Sequence, residues 1–111
     1  MSNEIVLNGK IYVEKEVGND FKIIRTYSAG VFFGEVTRRD GKEVELKNAR
    51  RLWYWDGAAS LSQMAIDGVS KPENCKFAKA ISVILTEAIE IISTTEKAQK
   101  SINGVAEWIQ K

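Results

Sequence analysis

From residue 21 onward, apolar and polar side chains alternate with a period of two, the repeat of a β-strand rather than a helix. Phe21, Ile23, Arg25 and Tyr27 fall on one face, and Lys22, Ile24, Thr26 and Ser28 on the other. The small residues Ser28-Ala29-Gly30 turn the chain, which returns through residues 31–38 with Phe32 and Val36 opposed to Val31 and Phe33. Asp40-Gly41 makes the next turn. Beyond it Val44 and Leu46 point one way and Glu43, Glu45 and Lys47 the other, as in a strand with one wet face. The pattern predicts an antiparallel meander of three strands, the third running on through Asn48-Ala49-Arg50-Arg51 to Trp55. Upstream, Asn8-Gly9 between two β-prone runs is a hairpin signal. Residues 1–20 therefore read as an N-terminal β-hairpin flap and residues 21–111 as the core domain.

Two stretches change period. Ser60-Leu61-Ser62-Gln63 fits a capping box, in which the Ser hydroxyl accepts from the amide three residues on while Gln reaches back. A short helix with Leu61, Met64 and Ala65 on its apolar stripe should follow and end at Asp67-Gly68. Ser93-Thr94-Thr95-Glu96 is a second capping box, predicting a helix from about Thr94 to Ile102 that stops at Gly104, with Trp108 docking the tail. Residues 81–92 have some helical spacing, but seven of these twelve are Ile, Val or Thr, so they read as strand. Lys71-Pro72 to Phe77 reads as a connecting loop. The fold class expected is α+β: one domain, an antiparallel meander and two short helices.

Composition narrows the chemistry. At 111 residues the chain can build one well-filled core. Its charge of +1 creates no global field to recruit a polyanion. No apolar run approaches the ~20 residues that span a bilayer, and Met1-Ser2-Asn3-Glu4 lacks the basic and apolar regions of a signal peptide, so a cytosolic protein is expected. The chain has no histidine, which removes Ser-His-Asp and Cys-His nucleophile systems and His-ligated zinc. The single cysteine, Cys75, cannot make an internal disulfide and reads as a small core residue. No Walker-type phosphate loop is present, since Gly57-Ala58-Ala59-Ser60 lacks its lysine. No cofactor or metal is expected.

Charge is segregated. All five arginines lie in the meander, where residues 22–55 hold eight bases against four acids. Arginine grips phosphate and carboxylate through a planar fork, so the cluster points to an anionic partner, although a solvated sheet face would look the same. Arg50 and Arg51 lead into Leu52-Trp53-Tyr54-Trp55-Asp56-Gly57-Ala58-Ala59-Ser60-Leu61-Ser62. Guanidinium forks can hold phosphates, aromatic faces can stack bases at roughly 1–3 kcal/mol each, and a helix start offers amides to anions. Trp53 and Trp55 would share a strand face, either as a stacking platform or as core. The turn Tyr27-Ser28-Ala29-Gly30 is a second candidate, because small residues allow close backbone approach.

At Arg25-Thr26-Tyr27-Ser28-Ala29-Gly30-Val31-Phe32, at Asn48-Ala49-Arg50-Arg51-Leu52-Trp53-Tyr54-Trp55 with Gly57-Ala58-Ala59-Ser60-Leu61-Ser62-Gln63, and at Gly68-Val69-Ser70-Lys71-Pro72, the chain resembles a family of small uncharacterised bacteriophage proteins. The resemblance covers residues 23–101 and leaves the hairpin outside. Proteins of this kind are similar in design to the anti-CBASS sponges, which bind cyclic dinucleotide alarm signals and withhold them from a host effector without cleaving them. The likeness is one of type: compact, cytosolic, oligomeric, rich in Arg and aromatics, and without a catalytic constellation. It implies a phage-encoded, non-enzymatic binder that serves immune evasion in the host cytoplasm, with a cyclic dinucleotide as ligand and a homo-oligomer as its form. Arg50, Arg51 and Arg25 would contact phosphates, and Trp53, Tyr54 or Trp55 would stack a base. Ser28, Ser60, Ser62 and Gln63 would add polar contacts, and Tyr27 belongs to the same ligand-binding set. Two other classes stay open: an inhibitor or adaptor that binds a host protein through Arg and Trp anchors, and a single-stranded nucleic-acid binder.

Overall fold

Ile23 and Ile24 are neighbours on one strand and point to opposite faces, yet both are fully buried, as are Phe32 and Phe33 on the next. A strand does this only where its sheet is covered on both sides. The computed structural model describes residues 4–7, 10–13 and 21–109. Strands β1 (Glu4–Leu7) and β2 (Lys10–Val13) pair antiparallel in a sheet of their own, while the expected Asn8-Gly9 turn lies outside the described residues. The meander then follows as β3 (Phe21–Thr26), β4 (Val31–Asp40) and β5 (Glu43–Tyr54). The third strand stops one residue short of the expected Trp55. Helix α1 (Leu61–Asp67), a 3₁₀ turn (Pro72–Asn74), β6 (Lys76–Phe77), β7 (Ile81–Leu85), β8 (Ala88–Ser93) and α2 (Glu96–Asn103) complete the chain. The fold is α+β, an antiparallel six-stranded sheet with two helices, as the alternation pattern indicated.

The stretch 81–92 is strand, as expected, but it is two strands, and the break between them decides the shape. β7 pairs with β5 and β8 with β3, at opposite ends of the β5-β4-β3 meander. Only Thr86 and Glu87 separate β7 from β8, so the sheet must curl until this one segment reaches both ends. Inside the curl sits one core of Ile24, Phe32, Val36, Val44, Leu46, Ala49 and Leu85. On the outer face a second core joins Ile23, Phe33, Leu52 and Phe77 to Met64 and Ala65 of α1 and Ile102 of α2.

The helices close as the chain dictates. The Ser60 hydroxyl accepts from Gln63 N at 3.2 Å, the Gln63 side-chain Oε1 accepts from Ala59 N at 2.8 Å, and Gly68 caps the far end. For α2 the cap is Thr95, not the Ser93 of the expected box, because Thr95 is committed on both sides. Its hydroxyl accepts from Ala98 N at 3.1 Å and donates to Ile66 O at 2.6 Å, locking α2 onto the end of α1. Cys75 is buried, and burial pushes its thiol pKa up. The tail docks through its backbone, with Trp108 N donating to Phe77 O at 2.9 Å.

Gly34 marks the tightest crossing of β4 and β5. A Cβ there would stand 2.8 Å from Ala49 Cα, on strand backbone, and 2.9 Å from the Ala49 Cβ fixed to it, neither of which can yield without moving the strand. Gly34→Ala should therefore cost about 1–3 kcal/mol of overpacking strain, read as a lower urea midpoint at unchanged slope. A midpoint equal to that of the parent would show that the two strands are free to separate there.

Candidate functional site

The side chains after residue 47 are placed by one extra residue. Along β4 the register advances two residues from Phe33 to Glu35, while on β5 it advances three, from Lys47 to Arg50. That is a β-bulge, and Asn48 takes the left-handed conformation it needs at φ 51°. Asn48 Nδ2 donates to Glu35 Oε1 at 3.0 Å and holds it. An inserted residue exchanges the two faces of everything downstream. Before the bulge Val44 and Leu46 point into the inner core; after it Ala49 points inward and Leu52 outward. Arg50 and Arg51 are thereby sent to opposite sides of the sheet.

Arg50 goes to the outer core and is only 5% exposed. Its Nε donates to Ala78 O at 2.9 Å, Nη1 to Ile102 O at 2.9 Å, and Nη2 to Phe77 O at 3.2 Å and Ala106 O at 3.4 Å. Ile102 is in the last turn of α2, where a cation is favoured, and its carbonyl accepts from Val105 N at 3.2 Å as well. Every donor nitrogen of Arg50 is engaged with backbone, so the expectation that it contacts a phosphate gives way to a structural role.

Arg51 goes to the open end of the inner core. Its guanidinium carbon lies 4.6 Å from the Phe32 ring centroid and 5.3 Å from that of Trp53. Its Nε is buried without a hydrogen-bond partner, and among the described residues Arg51 makes no ion pair. An unmet buried donor costs about 1–3 kcal/mol, so its persistence calls for a reason. Beside it opens a cavity of about 200 Å³, lined by Arg51, by Thr26, Ser28 and Ala29, and by residues 83–87.

The small-residue turn is rigid on the cavity side. The Thr26 hydroxyl donates to Gly30 O at 2.7 Å and accepts from Ala29 N at 2.9 Å, and Gly30 holds φ at 94°. Tyr27 N donates to Glu87 O at 2.9 Å, fastening this turn to the link between β7 and β8. Arg51 and the 27–30 turn, 21 residues or more apart in the chain, meet at one cavity. The family model for domain of unknown function DUF6948 matches residues 21–102, which is 82 of the 111 residues. The chain belongs to the DUF6948 family. No curated protein and no solved structure matches it. The DUF6948 match starts at β3 and ends in α2, so it contains the whole cavity and leaves β1 and β2 outside.

Within this DUF6948 domain none of the other candidates lines the cavity, although Trp53 adjoins it through Arg51 and Tyr27 belongs to the turn beside it. Arg25 pairs with Glu90, its cross-strand neighbour, at 2.6 Å; both side chains are about half exposed, and such pairs contribute little. Arg38 pairs with Glu43 at 2.7 Å, and Arg39 Nε donates to Gly41 O at 3.2 Å. Ser60 and Gln63 are spent on the α1 cap, and Ser62 is exposed on that helix. The two tryptophans do not share a face. Trp53 stands over Arg51, 58% exposed, whereas Trp55, past the strand end, packs on the outer core. Tyr54 is exposed opposite Lys76, and Tyr27 is 76% exposed. Asp56 accepts from Asn74 Nδ2 at 2.9 Å and braces a loop. Sequence reasoning missed Phe32 and Glu87 as site residues. Glu87 was hidden inside an apparently unbroken strand, and the one available signal was the polar pair Thr86-Glu87 between isoleucine-rich halves. Among the described residues no helix is long and apolar enough to cross a membrane, and no cluster of ligating side chains could hold a metal ion.

Proposed function

We propose that this protein is a non-catalytic binder of a small nucleotide, with a phosphate on Arg51 and a base against Trp53. The observation that carries the reading is the guanidinium fixed by Phe32 and Trp53 with a buried N–H left without an acceptor. A phosphate oxygen supplies that acceptor, and charge-assisted bonds of this kind are about twice as strong as neutral ones. The Ser28 hydroxyl, with no hydrogen bond to the described residues, adds a further donor at the same cavity.

The ligand class we favour is a cyclic dinucleotide, sequestered in the manner of a phage sponge that blocks host signalling. About 200 Å³ is less than the roughly 300–1,000 Å³ that encloses a whole drug-sized ligand, so the cavity takes one phosphate and its surroundings. A cyclic dinucleotide carries two such phosphates related by near-twofold symmetry. Two copies of the chain, each offering one Arg51, match it. Calorimetric titration with a panel of cyclic dinucleotides at micromolar protein should give one ligand per two chains; silence across the panel removes the proposal. The exposure of Tyr27, Trp53 and Tyr54 favours a second reading, a host protein seated on these aromatics. Purification from host lysate separates the two, since a sponge retains an ultraviolet-absorbing small molecule and an adaptor a polypeptide.

A further inference from the structure

The same cavity carries one cation and one anion. Arg51 lines it from β5, and Glu87 lines it from the two-residue link between β7 and β8. The two side chains form no ion pair with each other, and among the described residues Glu87 pairs with no other cation. The position of Glu87 is nonetheless fixed by backbone: its carbonyl accepts from Tyr27 N at 2.9 Å, and the next residue, Ala88, donates its N–H to Lys42 O at 3.0 Å. The backbone of Glu87 is thus held at the cavity wall, and its exposed carboxylate has no ion-pair partner among the described residues.

Resting on the nucleotide reading above, we propose that Glu87 sets the class of phosphate the site accepts: monoanionic diesters are taken and dianionic terminal phosphates are turned away. A diester offers two non-bridging oxygens and a single negative charge, which the Arg51 fork can match in geometry and neutralise. A terminal phosphate carries about −1.5 to −2 at neutral pH. Its second charge finds no second cation among the lining residues and faces Glu87. Like charges held in one site are a direct means of rejecting a near-identical ligand. Cyclic dinucleotides contain only diesters, whereas their linear forms end in a monoester, so a sponge built this way ignores the cleaved signal.

The test is titration of the parent, Glu87→Gln and Glu87→Lys with cyclic di-AMP and cyclic di-GMP and with the linear pApA and pGpG. Circular dichroism confirms that both variants fold, as the exposure of Glu87 leads one to expect. The parent should prefer the cyclic forms. Removing one exposed charge should narrow the cyclic-to-linear ratio by about threefold to fivefold, and reversing it should narrow the ratio further. A linear form bound as tightly as its cyclic parent, or a ratio that neither variant moves, overturns the role of Glu87 while leaving the nucleotide reading intact. No binding of any of the four overturns both together.

Discussion

Arg50→Ala should destabilise the protein by about 2–5 kcal/mol, a large share of the roughly 5–15 kcal/mol that holds a domain of this size. The magnitude follows from what the guanidinium touches. Its contacts to Ile102 O and Phe77 O are buried, and those to Ala78 O and Ala106 O are partly so. Truncation removes a donor from each of these carbonyls at once, in a region that also contains the end of α2 and the short strand β6, although Phe77 O keeps Trp108 N and Ile102 O keeps Val105 N. Burial pulls the Arg50 pKa down, and the nearby Glu107 carboxylate partly restores it. A guanidinium that holds its proton less firmly in the folded than in the unfolded chain counts against folding at neutral pH. The carbonyl acceptors must therefore outweigh that penalty. Urea unfolding checks the point with two further variants. Arg50→Lys keeps the charge but lacks the fork, so it should fall between parent and alanine. Arg50→Met restores volume but supplies no donor to these carbonyls, so it should resemble alanine; a Met variant as stable as the parent would refute the account.

Much of the fold was legible because its signals are local. Alternation marked the strands of the meander, Asp40-Gly41 the turn, and Ser60 with Gln63 the first helix, the last through bonds spanning four residues or fewer, whereas β6 and the 3₁₀ turn lie in the stretch that reads as a connecting loop. The end of β5 and the α2 cap differ by one or two residues, since Thr95 is chosen by its bond to Ile66 across the interface between helices. Closure of the sheet was out of reach, because it depends on β7 and β8 finding opposite ends of the meander. For the site, the basic-aromatic segment was readable, but not which of its members faced a ligand. That assignment turns on a one-residue slip at Asn48, a residue type tolerant of positive φ and the sole local hint of a bulge. With the slip, two adjacent arginines of identical chemistry acquire opposite duties.

Arg51→Met should lose nucleotide binding by about 100-fold or more while leaving the protein as stable as the parent or more so. The two halves of this expectation come from the same geometry. As a ligand contact, Arg51 supplies the one cation lining the cavity, and losing a charge-assisted, bidentate contact there is worth about 3 kcal/mol. As a structural element it is poorly provided for. It gains cation–π contact with Phe32 and Trp53, about 0.5–2 kcal/mol, but leaves a buried Nε unsatisfied at a cost of about 1–3 kcal/mol. Methionine keeps contact with both rings and removes the orphaned donor. Arg51→Lys should bind about tenfold more weakly than the parent, since a point charge keeps attraction without the fork or the stacking. Paired thermal melts and titrations separate a binding residue from a structural one. Should Arg51→Met melt several degrees below the parent, the guanidinium is serving the fold, and the strain it carries is not stored for a ligand.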